Sequence, residues 1–443
     1  MVVWIRLFPI LCSLLFYSSH SFTTTTTTNS PPITTTPADF IEGNIPWNAG
    51  DADRAFRRGI QLEKNGQARK ATSAFHEAAT LYQCCLDQPD AFGHVTALPD
   101  PASRRALLAY TCLSLGYLHL DAQRDAPLAA ARLFQLASTN QPTAVSWDGR
   151  GQALEAAAAT TSSLGQALEA YRAALSYDAN YTPARFHVAV VLDRMLAHTK
   201  NSTTTTAGVL FDAAAAREEK KQILEDLRRQ EASVCLVDSW GYCRWHMRKQ
   251  PDANFYLGTR DMIELALRNA MLDTDNDADA IVCEFGVGSG RTLRMTQDVL
   301  ELGQEMHGFD TFTGLPQAWG VEPAGSYSTG GVVPNIGGNV VFHKGLFRDT
   351  IPPFLKQVKP TAFLSYAHID CRLYTSTIDI LEGMHSRVVP GTIIMFSEYI
   401  CHPTWRQDEF RAWRECCKRF GWKYEYLAFS LNTKNVVVRV THA

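Results

Sequence analysis

"ADAIVCEFGVGSGRTLRMTQDVL", Ala278 to Leu300, decides how the C-terminal part of this chain folds. The apolar run Ile281–Phe285 reads as a strand, Gly286, Gly288 and Gly290 as a tight turn, and the residues after them as a helix. Glycines at alternate positions let the backbone turn sharply and let a ligand come close to it. Twenty residues past Gly290, "MHGFD" reads as a second strand that ends on Asp310. A carboxylate there can accept hydrogen bonds from both hydroxyls of a ribose. The pattern predicts an α/β sheet with a ligand at its switch point. A tight strand–helix turn with no ligand is the plainer alternative.

The whole chain sets the frame for that reading. Its 443 residues are enough for two domains, and 46% apolar with 20% charged residues is a globular composition. The formal net charge of −3, without a basic stripe bearing interleaved aromatics, argues against a nucleic-acid binder. The 11 cysteines show neither a CxxC pair nor zinc-ligand spacing. Cys84–Cys85 and Cys416–Cys417 read as small buried hydrophobes.

The N-terminus, "MVVWIRLFPILCSLLFYSSHSF", has one Arg, an apolar run from Leu7 to Tyr17 and small polar residues after it. This is the form of a signal peptide over 1–21, too short for a permanent membrane span. A Thr/Pro linker over 22–50 follows, unable to build a core. Entry to the secretory pathway is the first expectation. The Ser21–Phe22 junction ahead of a hydroxyl-rich tract also resembles the two-part presequence of a secondary plastid.

From 51 to 200 the chain is rich in Ala and Leu at helical spacing. "NGQARKATSAFHEAATLY" (Asn65–Tyr82) and "LGQALEAYRAALSY" (Leu164–Tyr177) share Gly-Gln, an Ala and an aromatic at matching offsets. With "LSLGYLHL" (Leu113–Leu120), these resemble tetratricopeptide repeats, an all-α array whose paired helices share one core. Such an array offers a surface for a protein partner or for self-association, or serves as a helical cap. Residues 201–250 read as a helical linker with a solvated, mixed-charge face, and 251–443 as the α/β domain.

Glu284 separates the ligand options. Dinucleotide turns run Gly-x-Gly-x-x-Gly, whereas an acid leading into Gly-x-Gly-x-Gly resembles the S-adenosylmethionine turn of Rossmann-like methyltransferases. The strings "EFGVGSGRTLR", "HGFDTFTGLPQAW", "VVFHKGLFRDTIPPFL", "SYAHIDCRLYTSTIDIL", "PGTIIMFSEY" and "KYEYLAFSLNTKNVVVRV" follow in order. Together they resemble the macrocin O-methyltransferase-like family across about Asp279 to Val440. The resemblance implies a seven-stranded Rossmann-like sheet and S-adenosyl-L-methionine as cofactor. It implies that Glu284, Gly286, Gly288 and Gly290 form the cofactor turn, that Asp310 holds the ribose, and that Thr311 and Phe312 lie near the adenosine.

The resemblance also implies a magnesium ion held by the Asp of "HIDxxLY" and an acidic pair after the fifth strand. Asp370 matches the first position, and Ser397–Glu398 stand at the pair, so one carboxylate is replaced by a hydroxyl. Arg372 stands where relatives often carry a second Asp. Three readings stay open. Asp370, Ser397 and Glu398 hold magnesium weakly; or the metal is lost and Asp370, His368 or His402 is the base; or the domain binds cofactor without turnover. The leading expectation is an O-methyltransferase acting on a hydroxylated small molecule, a sugar or a glycosylated metabolite. The alternative is a catalytically silent scaffold that recruits a partner through its helices. The Gly/Pro/Ser-rich stretch Val321–Gly338 has the composition of a lid.

Overall fold

The computed structural model describes residues 50–64, 67–88, 96, 100–122, 127–158, 161–201, 211–250, 253–255, 257–270, 279–300 and 304–443. The stretches read as a signal peptide (1–21) and as a Thr/Pro linker (22–50) lie, apart from Gly50, outside the described residues. The chain divides into two compact units. One comprises residues 1–120, 125–154 and 169–184; the other comprises 121–124, 155–168 and 185–443.

Among the described residues the first unit is helical, as its composition predicts. It contains α1 (Asp51–Lys64), α2 (Ala68–Asp87), α3 (Pro101–Ala122) and α4 (Pro127–Asn140), with parts of α5 (Ala144–Ala156), α6 (Thr161–Tyr177) and α7 (Thr182–Asn201). Small residues do specific work here. A Cβ on Gly59 would lie 2.7 Å from the ring of Phe75, and one on Gly116 equally close to Phe134. Gly149 also backs Phe134, and Gly151 backs Tyr171. Each glycine lets one helix approach its partner over an aromatic ring, which is buried in every case. Asp53, fully buried, accepts hydrogen bonds from Tyr82 and Thr96, both at 2.8 Å, and so is satisfied inside that core.

The second unit carries the sheet. Its strands are β1 (Ala280–Phe285), β2 (Met306–Asp310), β3 (Val340–Lys344), β4 (Phe363–Ile369), β5 (Ile393–Phe396), β6 (Lys423–Phe429) and β7 (Val436–His442). The spatial order is β3-β2-β1-β4-β5-β7-β6. Strands β1 to β5 pair in parallel, and β7 runs antiparallel between β5 and β6. This is the seven-stranded sheet expected. Every residue of β1 and β5 is buried, which fits their unbroken apolar runs. Edge strand β3 is only partly covered.

Between these strands run α11 (Arg291–Val299), α12 (Phe347–Gln357), α13 (Tyr374–Met384) and α14 (Glu409–Phe420). Helix α10 (Thr259–Asn269) packs on α11, while α12, α13 and α14 pack in series. The stretch read as a connecting linker is two helices, α8 (Ala213–Arg229) and α9 (Glu231–His246). Helix α9 is part of the core, for Trp240 and Cys243 are buried there with Phe255. A buried ion pair, Arg194 to Glu155 at 2.7 Å, lies in the same unit. The described cysteines are all free. No helix among the described residues is long and apolar enough to cross a membrane.

The strand order reverses at β1 and β4, so the crevice outside their carboxyl ends is the switch point. Glu284 lies near the carboxyl end of β1 and Asp370 just past that of β4, while Asp310 ends the neighbouring β2 and Ser397 follows the neighbouring β5.

Candidate functional site

The glycine turn is built by backbone geometry that other residues resist. Gly286, Gly288 and Gly290 have φ of +94°, +51° and +76°. Gly286 also presses against β4: a Cβ there would fall on the carbonyl oxygen of Asp370 and 2.8 Å from its carbonyl carbon. Gly290 meets the Val321–Gly338 stretch, for a Cβ there would lie 2.5 Å from Ile336. That stretch is tied back to α11 by Gln297 donating to the Gly337 carbonyl at 2.8 Å.

Asp310 faces the turn. One carboxylate oxygen accepts from the Gly288 N–H at 2.7 Å and the other from the Phe312 N–H at 2.6 Å. A carboxylate has about four lone-pair sites. Two are used in holding the geometry, and the others can accept a pair of hydroxyls. Thr311 donates to the Gly314 carbonyl at 3.2 Å. Phe312 is buried with φ of +59°, and its carbonyl accepts from the Gly331 N–H at 2.8 Å. These two residues shape the loop beside Asp310.

Glu284 is not open to the crevice. It is buried, accepting from Thr292 at 2.9 Å and facing His368 Nδ1 at 3.1 Å. The register explains the second contact. Glu284 and His368 are direct partners across β1 and β4, so their side chains share one face. His368 also partners Met395 of β5, and Ser397 lies two residues on, on that same face. His368 Nε2 is 2.7 Å from Ser397 Oγ. The carboxylate requires Nδ1 to carry a proton, which leaves Nε2 to accept from the Ser397 hydroxyl. Burial disfavours charge on His368, but the hydrogen bond and charge of Glu284 lift its pKa above that of an ordinary imidazole. Burial likewise pushes Glu284 up.

The expected magnesium site does not fit these residues. An Arg372 amino nitrogen is 3.3 Å from Asp370, and another is 3.7 Å from Glu398. Lys434 Nζ approaches the other Glu398 oxygen at 3.2 Å. The two carboxylates that would repel each other without an ion are already neutralised by side-chain cations. Ser397, the third proposed ligand, is engaged by His368. Among the described residues no group of three or more His, Cys, Asp or Glu side chains is arranged to hold a metal. Where Asp370, Ser397 and Glu398 were expected as a magnesium rim, the two carboxylates stand in ion pairs with Arg372 and Lys434. Burial opposes ionisation of Glu398, yet Lys434 and Arg372 together hold its pKa below the usual range.

His402 stands at the turn after β5 with both ring nitrogens engaged. Nε2 lies 2.8 Å from the Glu398 carbonyl and Nδ1 lies 3.4 Å from Thr404. Burial lowers its pKa. Two residues that the sequence reading passed over complete the rim. Glu409 is fully buried at the start of α14 and accepts from the backbone N–H groups of Arg372 at 3.0 Å and Glu398 at 3.2 Å. Burial, then the charge of Asp370, pushes its pKa up to about 8. Tyr327 puts its ring 4.3 Å from the Arg372 guanidinium carbon. An acid within the first turn of a helix gave a weak signal for Glu409; nothing marked Tyr327.

A family model described as macrocin-O-methyltransferase (TylF) matches residues 335–419. No curated protein matches the chain. Similar solved structures include CalS11, a calicheamicin methyltransferase, at 21% identity over 53% of this chain and 99% of that one, with a TM-score of 0.33. The O-methyltransferase NovP is 18% identical over 50% of this chain and 99% of its own, with a TM-score of 0.31. Through residues 335–419 the C-terminal region is thus similar to the macrocin-O-methyltransferase family.

Proposed function

We propose that this chain transfers the methyl group of S-adenosylmethionine to a hydroxyl oxygen of a small hydroxylated molecule, a sugar or a glycosylated metabolite. The observation that carries the reading is Asp310, fixed at the switch point by Gly288 and Phe312 with acceptor capacity left for a ribose diol. The family match over 335–419 supports it. The acceptor class rests on the same match.

When bound, S-adenosylmethionine supplies a methyl group on a sulfonium, open to attack by an oxygen lone pair. The chain's own residues then have two tasks. The glycine turn and Asp310 fix the position of the methyl donor, which is most of what a methyl transfer asks of a protein. Ser397 and His368 take the proton. The acceptor's O–H proton passes to Ser397 Oγ while the serine's own proton passes to His368 Nε2. Glu284 steadies the imidazolium through Nδ1. The new O–C bond would form as the S–C bond broke, with the electron pair of the broken bond left on sulfur. His368 acts through Ser397 and is buried, so solvent does not compete for it.

A second reading has one observation in its favour. Asp370 and Glu398 are occupied by Arg372 and Lys434, as they could be in a silent scaffold. The Gly–aromatic packing in the helices before the sheet is what tetratricopeptide-type pairs would need, and such pairs would recruit the partner.

The test is transfer of labelled methyl from S-adenosylmethionine to free sugars, nucleotide-linked sugars and glycosides by the full chain. Label in an ether is expected. His368→Gln should lower kcat roughly 100-fold, the ordinary worth of a proton-transfer group, and leave cofactor affinity nearly unchanged. Cofactor binding without transfer to any acceptor favours the scaffold.

A further inference from the structure

We propose that Arg372 is the resident cation of the acceptor crevice and that it keeps divalent metal out, so that methyl transfer by this chain is metal-independent. The inference rests on the methyltransferase reading for its purpose, but its geometry stands apart from it.

Arg372 is held where it is at a conformational cost. Its φ is +62°, a left-handed backbone that an Arg rarely adopts. Four separate segments converge to hold it there. Asp370, at the end of β4, and Glu398, just past β5, flank the guanidinium at 3.3 and 3.7 Å. Glu409 of α14 accepts its backbone N–H at 3.0 Å. The loop between β2 and β3 lays Tyr327 against the guanidinium, and Trp319 of the same loop lies 5.9 Å away. A planar cation over an aromatic ring and between two carboxylates is a built arrangement.

The charges also close without a metal. Asp370 and Glu398 supply two negative charges; Arg372 and Lys434 supply two positive ones. The third carboxylate, Glu409, is turned to the backbone N–H groups of Arg372 and Glu398 at 3.0 and 3.2 Å. A divalent ion would have to displace a guanidinium that fills the space between the same carboxylates. It would find Ser397 turned to His368 at 2.7 Å. A guanidinium cannot be deprotonated in this range, so the block does not lift with pH.

The experiment titrates Mn²⁺ into the full chain with S-adenosylhomocysteine present, followed by calorimetry and by electron paramagnetic resonance of free Mn²⁺. The wild type should bind no tighter than about 1 mM, the weak end of protein divalent sites. Arg372→Asp removes the cation, adds a ligand and tolerates the left-handed backbone. It should tighten Mn²⁺ by roughly tenfold or more, the scale of a change in a metal's surroundings. Arg372→Lys keeps the charge and should still exclude the ion. Circular dichroism melting checks that each variant is folded. The proposal is overturned if the wild type binds Mn²⁺ tightly and loses it in Asp370→Asn. It is equally overturned if folded Arg372→Asp binds no better than wild type. Failure of S-adenosylhomocysteine to bind would count against the methyltransferase reading alone, because the metal titrations are read independently.

Discussion

Replacing Gly286 by Ala tests whether the cofactor turn and the acceptor rim are one mechanical unit. The added Cβ would fall on the Asp370 carbonyl oxygen, with the carbonyl carbon at 2.8 Å. Both are backbone atoms and cannot rotate away, so the strand end must retreat by about 1 Å to restore contact distance. Two hydrogen bonds resist that movement: Gly286 N–H to the Phe309 carbonyl at 2.9 Å, and Asp370 N–H to the Phe285 carbonyl at 2.8 Å. A residue other than glycine at φ of +94° adds about 1–3 kcal/mol of strain. With one hydrogen bond lost at about 1 kcal/mol, the destabilisation comes to about 2–4 kcal/mol. Urea unfolding followed by tryptophan fluorescence reads it, since Trp405, Trp413 and Trp422 are buried in the sheet-bearing unit. Affinity for S-adenosylhomocysteine should fall by roughly tenfold or more in the same variant, because the displaced backbone carries the turn. A variant as stable as wild type within about 0.5 kcal/mol, the scale of a neutral surface change, would refute this coupling of β1 to β4.

Glu409 gives a pH signature. Its folded pKa of about 8 lies above that of an unfolded carboxyl, so the folded state holds the proton more tightly. The stabilisation is complete below the ordinary carboxyl range and is lost as pH rises towards 8, at up to about 1.4 kcal/mol per pH unit. Urea midpoints at pH 5 and pH 8 should therefore differ in wild type and converge in Glu409→Gln; an unchanged slope would contradict the assignment. Arg194→Ala takes one cation away from the buried Glu155 and should cost up to about 3–5 kcal/mol, read as a lowered melting temperature. A shift too small to resolve would mean that the pair is not buried in solution.

The turn and the sheet were legible because their signals are local. Gly286, Gly288 and Gly290 need left-handed backbone, and Asp310 follows at a spacing set by one helix and one strand. The rim was not legible, because its partners meet only through the fold. Glu284 and His368 are far apart in sequence and become neighbours through β1–β4 register. Ser397 joins them from a third strand. Read alone, its hydroxyl looks like a missing metal ligand; beside His368 it is a hydrogen-bond donor. Arg372 reads as one lost negative charge until its left-handed backbone turns the guanidinium between Asp370 and Glu398. Tyr327 and Lys434 reach the same place from a loop and from the turn before β7. No spacing rule connects them.

The most direct measurement is a calorimetric titration of S-adenosylhomocysteine, and separately of NADH, into the full chain, with Asp310→Ala alongside. One equivalent of S-adenosylhomocysteine should bind, NADH should not, and Asp310→Ala should weaken binding by about 1–3 kcal/mol, the worth of a hydrogen-bonded charged partner. Binding of NADH without S-adenosylhomocysteine, or full affinity in Asp310→Ala, would contradict the assignment of the glycine turn and Asp310 to a methyl donor.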